Sequence, residues 1–494
     1  MLYHSTRSTA EKITASQAIL QGLAEDGGLF VPEVMPKLTT ELTALAGKTY
    51  QEVAYEVMKL FFTDYTEAEL KHCINKAYDE KFDTEVIAPL KEADGAWYLE
   101  LFHGPTLAFK DMALSILPYL MTTAAKKNEK KEEIVILTAT SGDTGKAALA
   151  GFAEVEGTKI IVFYPKYGVS SIQERQMVTQ KGDNTFVIGI RGNFDDAQSG
   201  VKQMFGNEDL KAKLLASGYR FSSANSINIG RLVPQVVYYV YSYVKLYEAG
   251  KLELGESMNV IVPTGNFGNI LAAYYAKQLG VPVGKLLCAS NDNKVLYDFM
   301  QTGVYDRNRE LLLTIAPSMD ILISSNLERL LYHMTGDVEQ VATWMKQLKE
   351  QGRYEIGAEN REKLASFDGG YATEQEVKEQ IKKIYEKTGY VLDTHTAIAS
   401  KMCDKLQNEQ GVTLVASTAS PFKFGKSVLE AVLPADEVGA LQEMDDFVLA
   451  EKLASVAGVA VPSAVEQLRN APVRHTTVCD AKEMQQEVEK ILMA

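Results

Sequence analysis

Residues 258–280 read MNVIVPTGNFGNILAAYYAKQLG. The unbroken apolar run Val260–Val262 reads as a short strand buried on both faces. Gly265 and Gly268 then let the backbone turn tightly and approach a ligand closely. From Ile270 onward the stretch reads as a helix, and free amides at a helix start favour an anion such as a phosphate. The spacing is GxxG. It lacks the third glycine of a dinucleotide fingerprint and the GK[ST] of a nucleotide P-loop. An ordinary strand-to-helix turn has the same look, so this stretch sets the architecture and leaves its ligand open.

Working outward, the same unit recurs. EIVILTA (133–139), TKIIVFYP (158–165), TFVIGI (185–190) and GVTLVAS (411–417) are further short apolar runs separated by helical segments. Such runs predict parallel strands in an α/β architecture. The first hundred residues differ. Residues 8–24 are expected as one helix, followed by a turn at Asp26–Gly28. Val53, Val57, Leu60 and Phe61 predict a helix over 49–62, and Thr66 with Glu69 forms a capping box for the next. A strand is expected at WYLEL, 97–101. No fixed-period repeat or low-complexity tract appears.

Composition narrows the function classes. The 494 residues suggest two or three domains, with 46% hydrophobic and 23% charged residues as in a folded globular protein. A net charge of −14 argues against nucleic acid and anionic membrane as partners, so an anionic ligand needs a local pocket. Cys73, Cys288, Cys403 and Cys479 are far apart and form no CxxC pair, which fits a reducing compartment. The N-terminal residues lack a signal-peptide core, and no stretch has the length and apolarity of a membrane span. A cytoplasmic enzyme is expected. His4, His72, His103, His333, His395 and His475 show no zinc spacing, so no metal site is expected; His103 and His395 draw interest only through their neighbours.

Three more segments carry chemistry. In TATSGDTGKAALAGFA (138–153), Ser141, Gly142, Asp143, Thr144 and Gly145 make a second turn rich in hydroxyls and backbone donors. Two such turns suggest two anionic groups to hold, although Asp143 or Thr144 acting only as a helix cap reads the same way. In LFHGPTLAFKDMALSILPYL (101–120), Lys110 follows an apolar run and precedes an apolar helix. Desolvation and the helix start lower a lysine's pKa there and favour the neutral amine, the nucleophile for a Schiff base. A solvated lysine beside a helix is the alternative. In VASTASPFKFGKSVLEAV (415–432), Ser417 and Thr418 lie at a strand's C-terminal end, where ligands of open α/β sheets collect.

Together these segments resemble the threonine synthase family, of the longer type with an added N-terminal region. STRSTAEKITASQAILQGLAEDGGLFVPE (5–33) resembles its opening, HGPTLAFKD its cofactor-lysine motif, and NSINIGRLVPQ (225–235), DTHTAIA (393–399) and STASPFKF (417–424) further family segments, in the same order. The resemblance implies the tryptophan synthase β-like fold type II. It has two parallel-sheet α/β domains plus a mainly helical N-terminal region. Limits are placed at 1–95 for that region, 96–135 with 231–430 for the large domain, 136–230 for the small domain, and 431–494 for a C-terminal helical region. The implied cofactor is pyridoxal 5′-phosphate, carried by Lys110. Gly265, Asn266, Phe267, Gly268 and Asn269 are implied to hold its phosphate, and Thr418 its pyridine nitrogen. Ser141, Asp143 and Thr144 are implied to face the substrate, with Asn225, Asn228 and Arg231 as candidates for the substrate's phosphate.

The implied reaction is O-phospho-L-homoserine plus water to L-threonine plus phosphate. A related lyase releasing 2-oxobutyrate, a non-catalytic relative, and a nicotinamide dehydrogenase are the rivals. Ser420 departs from the histidine often found at this point in the family, which bears on local packing. The choice between monomer and homodimer stays open.

Overall fold

The computed structural model describes residues 1–140, 142–169 and 171–493. Two sheets organise it. The larger has six strands in the order Phe367–Tyr371, Val283–Ser290, Met258–Pro263, Val412–Ser417, Ala96–Glu100 and Leu90–Ala93. All neighbours are parallel except the last pair, an antiparallel hairpin. The second has five parallel strands: Val478–Asp480, Thr185–Arg191, Thr158–Pro165, Glu133–Ala139 and Tyr219–Ser222. The central strands are buried along nearly their whole length, as parallel strands covered by helices on both faces must be. The strand Glu133–Ala139 straddles the domain limit expected at 135.

The N-terminal region departs from the sequence expectation. Residues 8–24 are not one helix: Ser8–Thr14 is a strand, and the helix is only Ala15–Gln21. Ser8–Thr14 pairs antiparallel with Leu2–Ser5, which also pairs with Phe30–Pro32. Of those seven strand residues only Ile13 is buried, so a helix there would have no apolar face to pack. Thr14 starts the helix through a capping box with Gln17. The helices Tyr50–Phe61 and Glu67–Ala77 do open on capping boxes, at Thr49 with Glu52 and Thr66 with Glu69. At the other end, the segment after 431 is mostly helical but also supplies the edge strand Val478–Asp480.

One helix ties the layers together. Ile229–Glu248 is apolar around nearly its whole circumference, and 17 of its 20 residues are buried. A helix of that composition is stable only inside a protein. It packs against the helices Tyr50–Phe61, Asp111–Leu114 and Gly268–Leu279. No helix of the described residues is long and apolar enough to cross a membrane.

The helices Asp111–Leu114 and Asp143–Phe152 meet at a glycine. A Cβ at Gly151 would lie 2.2 Å from the Leu114 carbonyl oxygen, a backbone atom that cannot swing aside. Gly151→Ala therefore forces these helices apart at an overpacking cost of about 1–3 kcal/mol, and calorimetry should record an unfolding midpoint lower by a few degrees. Gly206→Ala, where a Cβ meets nothing within 4 Å, is the control and leaves the midpoint unchanged or higher.

Candidate active site

The loop 101–110 is stitched to the end of the strand Val412–Ser417. Leu101 N–H donates to Ser417 O at 2.9 Å, Phe109 N–H to Thr418 O at 2.8 Å, and Ser420 N–H to Leu107 O at 3.1 Å. Ala108 and Ala419 form an isolated bridge. This places Lys110 beside Thr418, although 308 positions separate them in the chain. Leu107 adopts a left-handed φ of 58°, the turn that brings the chain to Lys110. Asp111 closes the same loop by accepting from Thr106 N–H and Oγ1–H at 2.8 and 2.6 Å. Burial pushes its carboxyl up to about 6. Ser420 caps the short turn Pro421–Phe424 by accepting from Phe422 N–H.

The Lys110 side chain is 14% exposed. Burial brings its amine down to about 8; the Asp143 carboxylate opposes this, and Lys423 and Arg231 reinforce it. Its Nζ lies 3.5 Å from Ser318 Oγ and 3.9 Å from Asp143 Oδ2. Asp143 is the hub. Lys423 Nζ lies 2.7 Å and Lys146 Nζ 3.3 Å from its Oδ1, and Ser318 Oγ–H donates to its Oδ2 at 3.2 Å. Burial alone would raise this carboxyl, but Lys423, Lys146 and Lys110 outweigh it and hold the group well below the usual carboxylate range. The turn before Asp143 is drawn tight by Thr140, whose Oγ1 accepts from the N–H groups of Gly142 and Gly145. Thr144 is half-buried beside Asp143. Ser141 lies outside the described residues.

The glycine turn after Met258–Pro263 lies against the Ser318 turn. Phe267 has a left-handed φ of 65° and opens the helix Gly268–Leu279. The turn is braced through its carbonyls: Ser324 Oγ–H donates to Gly265 O, and the backbone and side-chain N–H groups of Asn326 donate to Asn266 O. Its amides from Gly265 to Asn269 have no carbonyl partner among the described residues. A Cβ at Gly265 would strike Ser318 O at 2.8 Å, so only glycine fits against the Ser318 turn. Asn269 accepts from the Tyr239 hydroxyl, while its buried Nδ2 is unpaired.

Arg231 is buried. It donates from one terminal nitrogen to Ala224 O at 2.8 Å, and its Nε has no partner. Burial brings it down to about 10. The two asparagines of the same segment are placed differently. Asn228 caps the helix Ile229–Glu248 and donates to Ile19 O, so both ends of its amide are engaged in the fold. Asn225 is exposed.

His395, singled out only for its neighbours, accepts from Ser318 N–H at its Nε2, while its Nδ1 faces Asp393 at 2.8 Å. It thereby fixes the turn that carries Ser318. His103 lies in a separate cluster with Asp83 and Glu100, whose carboxylates overcome the effect of burial and push it up to about 9. Lys146, Ser318 and Lys423 escaped the sequence reading. A lysine three residues after Asp143 was the one local signal for the first of them.

Asn269 Nδ2 and Arg231 Nε are unpaired buried donors, the amides of the glycine turn lack carbonyl partners among the described residues, and Arg231 lies within electrostatic reach of the buried, readily deprotonated Lys110. The Thr418 hydroxyl likewise has no protein partner among the described residues. The donor set suits a cofactor with a phosphate, a carbonyl carbon and a ring nitrogen. Fold and site together define a pyridoxal-phosphate dependent enzyme of fold type II.

Comparison with known proteins agrees and goes further. Residues 2–78 match the family described as "Threonine synthase N terminus", and residues 86–417 match "Pyridoxal-phosphate dependent enzyme". Threonine synthase of Saccharomyces cerevisiae is 35% identical over 87% of this chain and 89% of its own length. Human threonine synthase-like 1 is 40% identical over 85% of this chain, which spans only 59% of that protein's length. The structure of pyridoxal-phosphate-bound threonine synthase from Brucella melitensis superposes with a TM-score of 0.85 at 35% identity, covering both chains in full. Yeast threonine synthase superposes at 0.87 with 31% identity, covering all of this chain and 99% of its own. The chain belongs to the threonine synthase family.

Two measurements follow from the site. Because Lys110 is reactive only as the neutral amine, capture of pyridoxal phosphate by the apoprotein should speed up with pH through a midpoint near 8, not the ordinary lysine value near 10.5. Stopped-flow absorbance checks this, and Lys110→Ala should develop no band of covalently held cofactor. Thr418→Val, which removes the hydroxyl and keeps the shape, should shift that band and weaken cofactor retention about tenfold, the loss of one hydrogen bond.

Proposed function

We propose that the protein converts O-phospho-L-homoserine and water into L-threonine and phosphate. The observation that carries this is the buried Arg231 guanidinium. Among the described residues it faces no carboxylate, yet it lies close enough to Lys110 to lower that amine's pKa. A buried cation without a counter-charge is costly, and a substrate phosphate would supply the missing charge in a bidentate geometry. The relatives named threonine synthase that span most of this chain support the same reading.

In this reading the amides of Gly265–Asn269 hold the cofactor phosphate, and Thr418 faces the ring nitrogen. A pyridoxal phosphate held there would supply an electron sink for the charge that develops at the substrate's α-carbon. The Lys110 amine, buried and readily neutral, moves protons at Cα and Cβ. Arg231 holds the phosphate that leaves Cγ, before water adds at Cβ. The Gly142–Thr144 turn faces the substrate carboxylate, Ser141 being a further candidate outside the described residues, and Asp143 sets the protonation of Lys110. Asn225 and Asn228 remain candidates at the phosphate end. The domain limits 1–95, 96–135 with 231–430, 136–230 and 431–494 belong to this proposal, as do a cytoplasmic setting and a monomer or homodimer.

The deciding experiment is a product assay on cofactor-loaded protein supplied with O-phospho-L-homoserine. Equal amounts of phosphate and threonine are expected. Phosphate accompanied by 2-oxobutyrate would make the protein a lyase. Arg231→Leu should lower kcat/KM by about 10²-fold or more, as loss of a charge-assisted contact implies, while the cofactor band persists.

A further inference from the structure

Segment 324–329 takes no part in the reaction as drawn, yet it carries Arg329, one of the largest fully buried side chains among the described residues. Three of its polar residues are buried and bonded to the chain around the site. The Ser324 hydroxyl donates to Gly265 O at 2.7 Å. Asn326 gives its backbone N–H and a side-chain N–H to Asn266 O, both at 3.0 Å, and that side-chain nitrogen lies 3.5 Å from Ser226 Oγ. Arg329 spreads its fork over three parts of the chain. Its Nε donates to Phe30 O at 3.0 Å, one terminal nitrogen to Asn326 Oδ1, and the other to Ile227 O at 2.6 Å. One guanidinium thus touches the N-terminal region, the segment that leads into Arg231, and the asparagine that holds the glycine turn.

Packing alone does not call for a charge there. All three acceptors are neutral, and the carboxylate of the adjacent Glu328 is taken up by Arg7 and Thr6. Burial outweighs the surrounding phenols and Glu328 and brings Arg329 down to about 10. A buried cation with no carboxylate bonded to it is costly, and an apolar side chain would fill the same space. What a guanidinium alone offers is a rigid fork that fixes several acceptors at once. Two of those acceptors belong to amide groups whose N–H side is also in use. Ile227 O shares its peptide with the Asn228 N–H, which closes the turn onto Asn225 O at 3.1 Å. Asn326 Oδ1 shares its amide with the N–H that holds Asn266 O, and Asn266 O shares its peptide with the Phe267 N–H of the glycine turn. A donor at one end of an amide polarises it and strengthens what the other end donates.

We propose that Arg329 is a positioning residue that holds the substrate-phosphate segment 225–231 in register with the cofactor-phosphate turn 265–269. The inference rests on the function proposed above, in which those two segments hold the two phosphates. Lys110 acts on carbons that lie between them, so the spacing of the two holders sets where Cα and Cβ sit against its amine. An error of about 1 Å in such a placement costs about 10²-fold in rate. The N-terminal region enters this frame through Phe30 O, the third anchor of the fork.

The test compares the wild-type holoenzyme with Arg329→Lys, which keeps the charge but not the fork, with Asn326→Ala, which removes the link to the glycine turn, and with the double variant. Arg7→Met is the comparison, because it frees the N-terminal region from Glu328 and touches neither holder. Three quantities are measured: retention of the cofactor band on dilution, affinity for inorganic phosphate by calorimetry, and kcat and KM with O-phospho-L-homoserine. Arg329→Lys and Asn326→Ala should each weaken phosphate affinity and cofactor retention about tenfold, raise KM by a similar factor, and lower kcat about 10²-fold. The double variant should lose less than the product of the two single losses, because both side chains act in one line of contacts. Arg7→Met should lower the unfolding midpoint and leave all three quantities within about twofold. Losses that multiply in the double variant would overturn the proposal, as would wild-type phosphate affinity and cofactor retention in Arg329→Lys. Equal losses in Arg7→Met would also overturn it, since Arg329 would then be only a stitch to the N-terminal region. If Arg329→Lys does not fold, Asn326→Ala carries the test, and normal phosphate affinity and cofactor retention there would overturn the proposal. Wild type that binds inorganic phosphate, with that affinity lost in both variants, but makes no threonine would defeat the functional reading and leave the brace standing. Wild type that makes threonine beside variants that hold both groups normally would defeat the brace alone.

Discussion

The structure depends on one buried carboxylate. Asp143 is shared by Lys423, Lys146 and Lys110, all enclosed. None of these charges could leave water alone, since an unpaired buried ion costs several kcal/mol and breaking such a pair about 3–5 kcal/mol. Three amines on one carboxylate still leave an excess of positive charge. Two consequences follow. Amines with lowered pKa values become available as nucleophile and base at neutral pH, and the pocket favours anions although the chain carries −14 overall. The hub also joins the two sheets, because Asp143 follows a strand of the five-stranded sheet and Lys423 follows a strand of the six-stranded one.

Around that hub the site is assembled from strand ends and the turns after them. The chain leaving Ala96–Glu100 carries Lys110, that leaving Val412–Ser417 carries Thr418 and Lys423, and that leaving Met258–Pro263 carries the glycine turn. The N-terminal region braces this assembly at a distance. Arg7 and Thr6 bind Glu328, and the neighbouring Arg329, fully buried, reaches Phe30 O, Ile227 O and Asn326 Oδ1. Asn326 in turn holds Asn266 O in the glycine turn. Asn228 joins the same frame through Ile19 O, which accounts for an asparagine in a site motif whose amide is engaged by the fold.

Much of this was legible in the chain. The Val/Ile runs showed the parallel strands, since burial on both faces leaves no polar alternation. Thr49, Thr66 and their glutamates showed where two helices begin, because a capping box is local. Lys110 and the GNFGN turn each had an ordinary structural reading as well, and it was the ordered set of motifs resembling one family that singled them out. The strand Ser8–Thr14 was not legible, because its partners at residues 2–5 and 30–32 decide its conformation and it buries almost nothing of its own. Tyr219–Ser222 and Val478–Asp480 are too short and mixed to declare themselves without the sheet edges they join.

The sequence by itself determined the main parallel strands, the starts of two helices, the glycine turns, and the lysine placed at an apolar helix start, because each follows from neighbours a few residues apart. Only the tertiary structure decided that Lys423, Lys146 and Ser318 converge on Asp143 and Lys110, that His395 holds the Ser318 turn, and that Arg231 is left without a counter-charge. Those facts depend on burial and on charges brought within a few ångströms from distant parts of the chain. Desolvation and Coulomb forces act through space, and linear spacing carries no record of them.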